Sequence, residues 1–239
     1  MDTVKFEKKN VKIVAHRGLS GIETENTNAA FIAAANRSYF GIETDIRVTR
    51  DGRFAVSHDS TLERVGGLDV SICDRKLDEL SELRLLDKDG ARDRSDLRVT
   101  CLENYLKICK RYSKHAVLEI KNVMTDEQID AVIATVAEYD YLDSLTFISF
   151  YYDNLTAIRR RLPKQSVQFL FSKPTDEIID RLIADRIDVD IHHAALTAEL
   201  IERFHAAGLT VNCYTVDNPE RGEELALMGI DMITSNILE

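Results

Sequence analysis

From residue 115 onward, short apolar runs alternate with longer polar stretches that carry apolar residues at helical spacing. The runs at 116–120, 145–150, 167–171, 189–192, 209–214 and 230–234 predict strands, and the stretches at 126–139, 152–161, 175–185, 197–207 and 218–227 predict helices. Apolar runs separated by helices mark parallel βαβ units, because a parallel strand is buried on both faces. The first part of the chain adds strands at 11–15 and 42–48 with a helix at 27–36. Eight such strands without a linker or a break in composition predict an α/β fold of the (β/α)8 TIM barrel type, one domain over 1–239, with a doubly wound open sheet as the alternative.

One strand is surplus to the repeat. The run 53–58 follows 42–48 with only Thr49-Arg50-Asp51-Gly52 between them, too little for a crossover helix. Asp51-Gly52 in a two-residue hairpin turn sets paired positions to a sum of 103 and places Asp45 across from His58. After it, the stretch 60–98 holds 18 charged residues in 39 and no aromatic. Leu77, Leu80, Leu83 and Leu86 recur within it and predict one amphipathic helix. Thr100-Cys101-Leu102-Glu103 reads as a capping box for the next helix. The whole insertion after the second barrel strand, about 46–100, predicts a small lid beside the barrel mouth.

The chain has 239 residues with 41 Asp+Glu against 31 Lys+Arg, a formal charge of −10. That balance disfavours nucleic acid and a stable membrane association as partners. No stretch is apolar enough to span a bilayer, and residues 1–10 lack the apolar core of a secretory signal. Cys73, Cys101, Cys109 and Cys213 show neither paired nor zinc-like spacing, so the expectation is reduced thiols in a cytoplasmic protein. Oligomeric state is left open by the sequence.

Reactive groups of such a barrel lie at the C-terminal ends of its strands. There the sequence sets His16 and Arg17, Glu43 and Asp45, Glu119 and Lys121, and Ser149. Glu43 and Asp45 are two residues apart on one strand and share a face. With Glu119 they form the ligand set of a hard divalent cation, Mg²⁺ or Ca²⁺, with Mn²⁺ also compatible. Each carboxylate taken alone is better explained by an Arg or Lys partner; three at strand ends, with histidines nearby, favour the ion. His16 and His58 flank this group and suit acid–base work. His115, His192, His193 and His205 read as ordinary structural residues, His192 least securely. Arg17 and Lys121 suit phosphate oxygens or, alternatively, salt bridges to the carboxylates.

These residues resemble the signature of glycerophosphodiester phosphodiesterases. His16-Arg17-Gly18, Glu25-Asn26-Thr27, Glu43-Thr44-Asp45, Thr49-Arg50-Asp51-Gly52 and His58-Asp59 carry the resemblance. It extends through Leu118-Glu119-Ile120-Lys121 and Tyr214-Thr215-Val216-Asp217 to the last strand. The resemblance implies a divalent-metal barrel that hydrolyses a small-molecule glycerophosphodiester to an alcohol and sn-glycerol 3-phosphate. It implies His16 and His58 as the acid–base pair and Glu43, Asp45 and Glu119 as metal ligands. Arg17, Lys121 and Tyr214 would then bind substrate, with Glu25 and Asn26 behind them. Thr24, Tyr214 and Asp217 depart from the family's usual Pro, Trp and Asn, and the last two bear on alcohol preference. A phospholipase-type or cyclising enzyme on intact lipids, or an inactive barrel used for binding, are the other readings. The polar stretch 60–98 disfavours the first, and the complete set of histidines and carboxylates disfavours the second.

Overall fold

A computed structural model describes residues 2–239. In chain order the elements are β1 (Lys12–Ala15), α1 (Asn28–Ala35), β2 (Gly41–Val48), β3 (Phe54–Val56), α2 (Glu63–Gly66), α3 (Leu77–Ser81), α4 (Leu102–Tyr112), β4 (His115–Ile120) and α5 (Asp126–Glu138). They continue with β5 (Leu145–Ser149), α6 (Tyr152–Arg161), β6 (Ser166–Phe171), α7 (Asp176–Asp185), β7 (Asp188–His192), α8 (Ala198–Ala206), β8 (Val211–Tyr214), α9 (Pro219–Leu227) and β9 (Met232–Ser235).

Eight parallel strands run β1-β9-β8-β7-β6-β5-β4-β2, and β1 pairs with β2 to close the barrel. The strand runs are apolar because helices cover their outer faces. Ile13, Ile42, Leu118, Phe147, Val189 and Ile233 thus join one core with helix residues such as Phe31, Leu106 and Phe204. Inside the barrel the apolar layer is thin, formed by Val14, Val117, Ile148, Leu170 and Met232. Polar side chains occupy the rest of the interior. Side-chain oxygens of Thr27, Thr125, Thr175, Thr197 and Asn218 cap their helices, and Pro219 follows at the first helical position.

Three local expectations are corrected. β3 does pair antiparallel with β2, but Ile46 faces Val56 and Val48 faces Phe54, a sum of 102. Gly52, at φ +76°, takes the left-handed position of a three-residue loop. Asp45 therefore accepts from the N–H of Ser57, not across from His58, which lies beyond the ladder. The leucine repeat does not extend one helix, since only Leu77–Ser81 is helical. A spacing of three drifts steadily around a 3.6-residue turn, and Leu85 is buried in place of Leu83 and Leu86. With Ala55, Leu62, Ile72, Leu77, Leu80, Leu97 and Val99 it makes a small separate core under the insertion. Finally, Cys101 and not Thr100 caps α4, without a side-chain bond, while the Thr100 hydroxyl donates to Asn28.

Candidate active site

β1 ends at His16, and there the backbone turns sharply. Arg17 sits at φ +55° and Gly18 at φ +76°, where a Cβ would stand 2.7 Å from Ala30. The turn aims the Arg17 N–H at Glu43 Oε2, 2.7 Å away. Asn26, also left-handed, donates to Asp45 Oδ2 at 2.8 Å and accepts from the Thr44 hydroxyl at 2.8 Å. Each of these two carboxylates thus has one oxygen held by a hydrogen bond. Their other oxygens, Glu43 Oε1 and Asp45 Oδ1, are buried and accept none, and neither does Glu119 Oε1. Lys121 Nζ lies 2.8 Å from that Glu119 oxygen as an ion pair and 3.7 Å from Asp45 Oδ1.

One ligand oxygen from each of Glu43, Asp45 and Glu119 falls within 4.8 Å of the others. Among the described residues they are the one such acidic group so placed. Burial, then Asp45 and Glu119, push the Glu43 pKa far up, and burial with Asp45 pushes Glu119 up to about 8. Burial works against Asp45, but Arg17 and Lys121 hold it low. Three converging buried carboxylates with unfilled oxygens repel one another and fit a hard divalent cation as donors.

A cavity of about 310 Å³ opens above them, lined by His16, Arg17, His58, Lys121, Phe150, His192 and Tyr214 among others. A larger hollow of about 500 Å³ lies at the other end of the barrel, by Leu142, Arg161 and Gln165, and gathers no comparable chemistry. His16 Nδ1 meets Asn236 Oδ1 at 2.7 Å, and His58 Nδ1 meets Asp59 Oδ1 at 2.7 Å. Burial, then the Arg17 charge, lowers the His16 pKa to about 4. Burial lowers that of His58 too, against the pull of Asp45. Arg17 donates to Glu25 and lies 3.4 Å from Asp45. Arg64, from the insertion, binds both Glu25 and Asp59 and ties the insertion to the rim.

Ten of the residues singled out in the sequence gather here: His16, Arg17, Glu25, Asn26, Glu43, Asp45, His58, Glu119, Lys121 and Tyr214; Ser149 does not line the cavity, its buried hydroxyl donating to the Ile120 carbonyl. The two departures expected to bear on alcohol preference take different places. The Tyr214 hydroxyl donates to the Phe171 carbonyl at 3.2 Å, so its ring, not a free hydroxyl, faces the cavity. Asp217 does not line the cavity; it accepts from Asn236 and Ser235 behind His16. His192 lines the cavity, and His205 is a surface residue paired with Asp231 at 2.8 Å. Sequence reasoning missed Asn236, Arg64 and Asp190. Only Asp190 left a trace, in the alternation Asp188-Val189-Asp190-Ile191-His192 that turns 188, 190 and 192 inward.

The sequence profile of the Glycerophosphoryl diester phosphodiesterase family matches residues 16–238. The glycerophosphodiester phosphodiesterase of Bacillus altitudinis is 26% identical over 233 residues, covering 93% of each chain. The solved structure of an Oleispira antarctica phosphodiesterase in complex with the product sn-glycerol-3-phosphate matches with a TM-score of 0.87 at 24% identity, over 94% of this chain and 92% of that one. The glycerophosphodiester phosphodiesterase of Thermotoga maritima matches with a TM-score of 0.79 at 27% identity, over 96% of each chain.

Proposed function

Since this chain belongs to the glycerophosphoryl diester phosphodiesterase family and is a phosphodiester hydrolase, we propose that it cleaves water-soluble glycerophosphodiesters to an alcohol and sn-glycerol 3-phosphate. The observation that carries this reading is the convergence, in one cavity, of three carboxylates with unfilled oxygens, two cations and two imidazoles. The product bound to the Oleispira antarctica relative is the one this reaction releases.

Glu43, Asp45 and Glu119 would hold Mg²⁺ or Ca²⁺, with Mn²⁺ a third candidate, and such an ion offsets charge developing on the phosphoryl oxygens and lowers the pKa of a bound hydroxyl. Arg17 and Lys121 face the cavity as fixed positive charges for the other phosphate oxygens. The glycerol hydroxyl next to the ester attacks phosphorus and gives its proton to one histidine, while the other histidine protonates the departing alcohol. Water then opens the resulting cyclic phosphate, and the two histidines exchange roles, which restores both protonation states. His16 fits the base of the first step because its Nδ1 partner is a neutral amide. His58 fits the acid because, against the burial that lowers its pKa, the Asp59 carboxylate supports its protonated form, a partner that His16 lacks.

No helix among the described residues is long and apolar enough to cross a membrane. An assay of sn-glycerol 3-phosphate release from choline, ethanolamine, glycerol and inositol diesters tests the proposal. Release should require added metal and stop in EDTA. Absence of release from every diester would overturn the substrate class, and full turnover in EDTA would overturn the ion.

A further inference from the structure

Asp190 is the buried acidic group in the cavity that the mechanism leaves without a task. It sits on β7, and four steps around the barrel, β2-β4-β5-β6-β7, set it diametrically across from the strand bearing Glu43 and Asp45. Val189 and Ile191 pack outward into the core, so the alternation turns Asp190 inward. There it lines the cavity beside Leu170 and Tyr214, with 1% of its surface exposed. Its Oδ1 has no hydrogen-bond partner. The register neighbour Asn212 lies near enough to soften the burial of this carboxyl, but its amide is directed at Gln168 and Thr234 and its carbonyl accepts from the N–H of Cys213, so Oδ1 stays without a partner.

A buried carboxyl left unpaired carries an uncompensated desolvation penalty. Such a group in a cavity wall is a site awaiting a partner. An isolated buried carboxylate avoids its charge by keeping a proton, and a neutral carboxyl both gives and takes hydrogen bonds. A hydroxyl does the same, whereas an ammonium only donates. Ile148, Leu170 and Phe150 beside it supply apolar contact for a carbon skeleton.

We propose that Asp190 anchors a hydroxyl of the substrate's alcohol portion, a recognition subsite set across the barrel from the phosphate-handling groups. This rests on the phosphodiester reading above. The hydroxyl belongs either to the glycerol moiety or to a polyol head group, and two comparisons separate these sources. The first is competitive inhibition by sn-glycerol 3-phosphate against propyl phosphate, which has the same length and no hydroxyl. The second is kcat/KM for glycerophosphoglycerol against glycerophosphocholine, whose head group has none.

The wild type should favour the hydroxylated member of one pair by about tenfold or more. Asp190→Ala should erase that preference and Asp190→Asn, which keeps an acceptor and a donor, should retain part of it. Both variants should melt at or above the wild-type temperature without ligand, because a group kept for the ligand adds nothing to the empty fold. A preference unchanged in Asp190→Ala, or one lost together with a lowered melting temperature in both variants, would assign Asp190 a structural role and overturn the subsite. Normal hydrolysis with no hydroxyl preference in the wild type overturns the subsite alone. A wild type that neither binds glycerol 3-phosphate nor hydrolyses any diester overturns the functional reading with it.

Discussion

His16 Nδ1 lies 2.7 Å from Asn236 Oδ1, and Asn236 is held from behind by Asp217, which accepts from its Nδ2 at 2.6 Å. A carboxylate only accepts, so the Asn236 amide must turn its nitrogen to Asp217 and its oxygen to His16. The His16 proton therefore rests on Nδ1, and Nε2 keeps its lone pair. Asn236→Ala should lower kcat by about tenfold to a hundredfold while KM stays near wild type, as for other groups that orient an active imidazole. Asp217→Asn frees the amide to turn over and should have a smaller effect in the same direction. Nitrogen-15 NMR of the His16 ring should show the Nδ1–H tautomer in the wild type and a mixture in both variants. An unchanged kcat in Asn236→Ala would remove this role.

The unlike partners of His16 and His58 predict unlike responses to the leaving group. His16→Ala and His58→Ala should each lower turnover of glycerophosphocholine by about two to four orders of magnitude. With a p-nitrophenyl diester of glycerol phosphate the departing phenolate needs no proton. In a single-turnover measurement of phenolate release, which precedes the opening of the cyclic phosphate where His58 acts again, the His58→Ala defect should then shrink toward tenfold, and the His16→Ala defect should persist. Equal defects on both substrates would dismiss the assignment of His58 as the acid.

The barrel is legible in the sequence because its strands are buried on both faces and their apolar runs stand apart from helices with 3.6-residue periodicity. Glu43, Asp45 and Glu119 are legible for the same reason: a charged residue at the end of such a run has nowhere to go but the rim. The hairpin register is not. Thr49-Arg50-Asp51-Gly52-Arg53 accommodates a two-residue turn or a three-residue loop with Gly52 left-handed, and one residue of difference moves Asp45 from His58 to Ser57. His58 still reaches the cavity because the chain leaves the ladder after Val56. The leucines of the insertion report burial without reporting conformation, since Leu77 and Leu80 lie in a helix and Leu85 and Leu97 do not. Asn236 lies 220 residues from His16, and nothing near either residue announces that bond.

The three buried carboxylates also predict a thermal signature. Added Mg²⁺, Ca²⁺ or Mn²⁺ should raise the melting temperature by about 5–10 °C at roughly one hundred times the dissociation constant, since an ion that binds only the folded state stabilises it. Glu43→Gln relieves the repulsion among Glu43, Asp45 and Glu119 and should leave the metal-free protein as stable as the wild type or more so. It should also flatten the response to metal. If no divalent cation moves the wild-type transition, or Glu43→Gln responds as strongly, the carboxylates do not hold the ion.

At the opposite end of the barrel, His115 predicts a pH dependence separate from catalysis. Its ring stacks on Phe40 with centroids 5.0 Å apart, and Nε2 meets the Thr146 hydroxyl at 2.9 Å. Burial, then the Lys12 charge, lowers its pKa from 6.5 to about 4. The unfolded chain takes up this proton near 6.5, whereas the folded protein refuses it until about 4. Between those values the unfolded state binds more protons, so stability falls as pH falls through the window and is fully present above it. The loss attributable to this residue reaches about 3 kcal/mol at the acid end. Urea unfolding of wild type and His115→Gln at intervals from pH 7.5 to 4 isolates the contribution as a difference between the two curves. The variant should lose less stability than the wild type across the window, and parallel curves would show that His115 protonates as easily in the fold as in the unfolded chain.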